Sequence, residues 1–115
     1  MLKYTSLCLS MFLALSAMSE AQDAGRGEEM FDKKCQGCHR RTDAVKNGPG
    51  LAGVTKRRTA EWLHKWLADP KALIESGDPQ AVAMLGRFKI KMPTIDLMQD
   101  EKNRNDMIAF LSTLE

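Results

Sequence analysis

Residues 33–41 read KKCQGCHRR, and the trio Cys35, Cys38 and His39 inside this stretch constrains the chain more than any other feature. A disulfide, a zinc ion, a redox dithiol and a covalently attached haem each suit such a trio, and each makes a different protein. Zinc asks for four ligands, and the only other histidine is His64. A redox dithiol asks for a thioredoxin-like setting, and no βαβ pattern surrounds these cysteines. On a helical turn, cysteines at i and i+3 point to the same side. Two sulfurs so placed reach the two vinyl groups along one porphyrin edge as thioethers, and the next residue, His39, can swing its imidazole under the ring to the iron. C-x-x-C-H is the attachment signature of c-type haem.

The beginning of the chain fits this reading. MLKYTSLCLSMFLALSAMSEAQ has Lys3 near its start, an apolar run from about Leu7 to Met18, and small residues at Ser19 and Ala21. That is the layout of a secretory signal peptide, expected to span residues 1–21, with cleavage after Ser19 as an alternative. The run is shorter than the ~20 residues that cross a bilayer. Residues 22–115 then form one domain. Export removes Cys8 and leaves Cys35 and Cys38 in a compartment where thiols oxidise. A domain of this size has a small core and gains from a cofactor that fills it.

Strand signals are scarce and helix signals recur, which predicts an all-α domain of four to five helices. A first helix is expected over 25–38, with Met30, Phe31 and Cys35 on one face. Residues 40–54, broken by Gly48, Pro49, Gly50 and Gly53, read as a loop. Thr59 can cap a helix over 60–69, whose apolar face is Trp62, Leu63, Trp66 and Leu67. Pro70 and Pro79 each open a short helix. Residues 89–99 are expected to be extended or irregular, because Pro93 pushes Met92 out of helical geometry. Asp100 caps a last helix carrying Met107, Ile108, Leu111 and Leu114, with Phe110 beside the stripe.

A second axial ligand for the iron would be methionine, histidine or nothing. Met30, Met84 and Met107 sit at helical positions that suit core packing, and Met98 has no clear place. Met92 differs: it lies in a loop, Pro93 follows it, and it is well downstream of His39. A soft thioether on a rigid loop suits a haem iron. His64 lies off the face that Trp62 and Trp66 define and reads as a half-exposed surface residue.

At this point the residues resemble a family, the small monohaem class I cytochromes c of bacterial periplasms. GEEMFDKKCQGCH resembles its N-terminal helix, KMP the segment bearing its methionine ligand, and DMIAFLSTL its C-terminal helix. The resemblance implies a cytochrome c fold around one covalently attached haem c, with Gly27, Phe31 and Phe110 at a helix crossing. It implies that Pro49, in GPGLAG, offers its carbonyl to the Nδ1–H of His39 and that Leu51 packs on the haem. Trp62 and Trp66 would pack on the haem edge, one N–H meeting a propionate, with Arg57 and Arg58 as further propionate partners. His39 and Met92 would be the axial pair. The middle of the chain resembles a subgroup in which EWLHKWLADP is followed by a second Asp-Pro, here Asp78-Pro79.

With both axial positions filled, the iron can change only its electron count, so the expected function is electron transfer in a periplasmic respiratory chain and not enzymatic turnover. A cytochrome subunit of a periplasmic oxidoreductase is the second reading, and a five-coordinate haem enzyme or sensor, which needs Met92 off the iron, is the third. Between Lys33 and Arg58, eight Lys or Arg stand against one acid, Asp43. This segment predicts a positive rim that steers redox protein partners with acidic docking surfaces. Nucleic acid is not an expected partner, and no transmembrane span is expected after signal cleavage.

Overall fold

A computed structural model of the protein describes residues 21–115. The expected signal peptide, apart from its last residue, lies outside the described residues. The elements are α1 (Ala24–Lys34), α2 (Val54–Arg57), α3 (Ala60–Ala68), α4 (Pro70–Glu75), α5 (Pro79–Phe88), a 3₁₀ turn (Asp96–Gln99) and α6 (Glu101–Leu111), with no strand among the described residues.

Short polar side chains start most of the helices by accepting an otherwise unpaired N–H of the first turn. Asp23 accepts from Arg26 N on α1, Thr59 from Trp62 N on α3, Asp69 from Ala72 N on α4, Asp78 from Ala81 N on α5 and Asp100 from Lys102 N on α6. Pro70 and Pro79 each follow a capping aspartate, where a missing N–H costs nothing.

Two helices stop several residues short of their sequence pattern. α1 ends at Lys34 and not at Cys38, because Gln36 N reaches back five residues to Phe31 O (3.0 Å) and breaks the i→i−4 ladder. Cys35 to Cys38 then form a turn, closed by His39 N donating to Cys35 O (3.0 Å). α6 ends at Leu111, and the tail is secured by Gly53 N donating to Leu114 O (2.9 Å). The four-residue α2 stands at the end of what reads as a loop, entered through Gly53 at φ 71°.

The core forms where α1 crosses α6. Phe31 and Phe110 meet with ring centroids 5.3 Å apart, and Met107 and Leu111 are buried beneath them. Gly27 permits the crossing: a Cβ there would stand 2.1 Å from the backbone oxygen of Asp106. Asp106 is fully buried and holds the start of α1, accepting from Asp23 N (2.8 Å) and pairing with Arg26 and Lys102. Met98 is buried in the same core, anchored through its carbonyl, which accepts from Arg104 Nη1 (2.7 Å). Met84 departs from its expected core position: it is half-buried on α5, on the wall of the cleft described next.

Candidate functional site

A cleft of about 500 Å³ opens between the Cys35–His39 turn, the 48–51 loop, α3 and α5, with the 90–93 segment along one edge. That volume suits a small-molecule cofactor. The face of α3 that the sequence marks as apolar lines it, and Met107 and Leu111 reach it from α6.

Cys35, Cys38 and His39 all line the cleft, so the turn delivers its three side chains to one place. Both cysteines are free, Cys35 buried and Cys38 exposed. Burial, and secondarily the neighbouring Cys38, pushes the Cys35 thiol up to about 11. Among the described residues no group of three or more His, Cys, Asp or Glu side chains is arranged to hold a metal ion.

His39 is oriented by its backbone surroundings. Its Nδ1 lies 2.9 Å from Pro49 O. A carbonyl can only accept, so Nδ1 carries the proton and Nε2 presents a bare lone pair, the arrangement of a ligating histidine. Gly48 presses on the same ring, since a Cβ there would stand 2.6 Å from His39 Cε1. Gly48 is itself held by its N–H donating to Cys38 O (2.8 Å). Leu51 is half-buried and lines the cleft beyond Pro49.

Met92 lies on the same cleft, and its Sδ accepts a hydrogen bond from Trp66 Nε1 (3.2 Å). His64 does not line the cleft: it faces α6, where its Nδ1 accepts from Arg104 Nε (3.3 Å). Trp62 and Trp66 stack at 5.4 Å with planes 10° apart, both against the cleft. The resemblance implies that one of these indole N–H groups meets a propionate; here the Trp62 N–H donates to Asp78 Oδ2 (2.9 Å) and the Trp66 N–H to Met92. The Trp62 bond, the N–H groups of Ala81 and Gln80 and the charge of Arg58 hold the Asp78 carboxyl below the usual aspartate range. Arg57 reaches the loop, donating to Ala52 O (2.7 Å), and the Arg58 guanidinium lies 5.3 Å over the Trp62 ring. Both arginines line the cleft.

Sequence reasoning missed the roles of Gly48 and Asp78. Asp-Pro ahead of a helical pattern signals an N-cap, but nothing in the sequence indicates that the capping carboxylate also meets an indole 16 residues earlier.

The donor set fits a haem. Two free thiols and a histidine with a bare Nε2 stand on an apolar cleft that also holds a thioether. The fold and site together define a small all-α haem protein of the electron-carrier class. The chain matches the Cytochrome c family over residues 24–115 and belongs to it. Its cofactor is accordingly haem c, covalently attached. The chain is similar to the cytochrome c of Rhodothermus marinus, with 26% identity and a TM-score of 0.73 over 79% of this chain and 75% of that one. It is similar also to the cytochrome c domain of a Pseudomonas putida protein, with 28% identity and a TM-score of 0.65 over 76% of this chain and 85% of that one. No curated protein sequence matches the chain.

Proposed function

We propose that this protein carries single electrons in a periplasmic respiratory chain on a haem held by Cys35 and Cys38 thioethers and ligated by His39 and Met92. The observation that carries this reading is the placing of the His39 imidazole and the Met92 thioether on one cleft, each with its second polar contact satisfied from the protein side. The haem, when bound, supplies a one-electron couple between ferric and ferrous iron, and a histidine–methionine pair favours the ferrous form. The chain's own residues tune that couple. Pro49 fixes the His39 tautomer, the apolar faces of α3 and α6 exclude water, and Arg57 and Arg58 stand ready to offset propionate charge. With His39 and Met92 both holding the iron, substrate and oxygen would find no open site on it. Among the described residues no helix is long and apolar enough to cross a membrane.

The test is an oxidised and reduced spectrum of the exported holoprotein beside Met92→Ala. The wild type should show a thioether–iron charge-transfer band when oxidised and bind carbon monoxide poorly. Met92→Ala should lose the band and bind carbon monoxide readily. Identical spectra for the two proteins would remove Met92 from the iron and favour an open haem site.

A second reading, a dedicated cytochrome subunit of a periplasmic oxidoreductase, is favoured by the similarity to a domain that belongs to another protein in Pseudomonas putida. A tight partner retained through purification at high salt would select it over a free shuttle.

A further inference from the structure

The segment that runs from the start of α5 to the Met92 loop forms one wall of the cleft. Ala81 is the one fully buried residue of α5, while Val82 and Ile90 are exposed. Lys89 ends α5 in the left-handed region at φ 60°, an uncommon conformation for a residue other than glycine. Two hydrogen bonds reach the wall from α3, one at each end. Trp62 Nε1 donates to Asp78 Oδ2 (2.9 Å) at the beginning, and Trp66 Nε1 donates to Met92 Sδ (3.2 Å) beyond the end. The two donors are in contact with each other, the indoles stacking with planes 10° apart, and Arg58 lies over the Trp62 ring. The same Asp78 Oδ2 also accepts from Ala81 N (2.9 Å), so the indole bond meets the cap of the helix and not merely a side chain.

We propose that the Trp62–Trp66 stack is a clasp that presents Met92 to the iron, and that Asp78, which touches no ligand, is a positioning residue of that clasp. This rests on the reading of Met92 as an axial ligand. Methionine has three rotatable side-chain bonds and by itself holds no orientation well. The Trp66 N–H engages one lone pair of the sulfur and leaves the other for a metal. The Asp78–Trp62 bond keeps the stack and the start of α5 in register, so that the loop carrying Met92 emerges at a fixed distance from Trp66. Losing either bond frees one end of the wall and weakens the hold of the thioether on the metal without removing a ligand.

The experiment measures imidazole affinity of the ferric holoprotein, since imidazole must displace the thioether, together with the thioether–iron band. Trp66→Phe and Asp78→Ala should each raise imidazole affinity about tenfold, the worth of one hydrogen bond of about 1.4 kcal/mol. Asp78→Ser keeps a capping oxygen for α5 but lacks the reach to Trp62, and it should give a similar gain with less loss of helix. The double variant Trp66→Phe/Asp78→Ser should fall short of the product of the single effects, because both act on one clasp. Asp69→Ala removes the corresponding cap from α4 without touching an indole and should leave the affinity as in the wild type. If Asp69→Ala raises affinity equally, general loosening explains the effect and the clasp is overturned. If the wild type shows the thioether band and the Trp66 and Asp78 variants keep wild-type imidazole affinity, the clasp is wrong while Met92 remains the ligand. If the wild type itself lacks the band and binds imidazole as Met92→Ala does, the ligand assignment fails first and the clasp with it.

Discussion

Gly48 shows how far a single atom can matter here. With no Cβ, its backbone lies against the His39 ring and lets Nδ1 stay on Pro49 O. In Gly48→Ala the new methyl would arrive 2.6 Å from Cε1, so the imidazole must turn and that bond must lengthen. A histidine that loses its outer hydrogen-bond acceptor becomes a less basic ligand and stabilises ferric iron less. The expected outcome is a raised reduction potential and a lower yield of mature holoprotein, checked by redox titration. An unchanged potential would mean that the ring is held by something other than the Gly48–Pro49 backbone. The sequence alone marks Cys35, Cys38 and His39 because their chemistry depends on spacing within one turn. It does not reveal Gly48, because the contact joins two backbone segments whose approach is decided by the fold.

Among the elements, α1 and α6 carry the stability, and the joint between them is polar at one end and apolar in the middle. Gly27→Ala would improve the intrinsic helix preference of α1 by under about 1 kcal/mol. It would also drive a methyl into the backbone of α6 at Asp106, a clash that a packed crossing relieves only by separating the helices. Net destabilisation of about 2–3 kcal/mol is expected from overpacking, read as a lowered denaturant midpoint. Asp106 contributes to the acid side of the stability curve. Burial pushes its carboxyl up, but the Asp23 N–H and the cations Lys102 and Arg26 together outweigh this and hold it below the ordinary value. A carboxyl lowered in the folded state contributes its full stability above the unfolded value, near ~3.9, and loses it as pH falls through the folded value. Asp106→Asn should therefore flatten the fall in stability below about pH 4 and cost about 2 kcal/mol near neutrality. Equal acid sensitivity in wild type and variant would place the titrating group elsewhere.

For the whole molecule, charge and cleft lie together. Arg57, Arg58, Arg87 and Lys91 line the cleft, with Asp43 as the acid among them. A positive opening speeds encounter with an acidic partner and does so less as salt screens it, the Debye length shrinking from ~30 Å at 0.01 M to ~8 Å at physiological strength. The bimolecular rate of electron exchange with a negatively charged redox protein should fall about tenfold over that range, measured by stopped flow. A rate indifferent to salt would show that these charges serve the haem propionates and not the partner.

The cofactor and the helical class follow from the sequence, because C-x-x-C-H and the apolar periodicity are local patterns whose chemistry needs no knowledge of distant residues. The caps at Thr59 and Asp100 are local in the same way. Only the tertiary structure brought Trp62 to Asp78, Trp66 to Met92 and the backbone of Gly27 to Asp106. Those contacts depend on the angles between helices, which side-chain packing over the entire core decides and which no short stretch of sequence encodes.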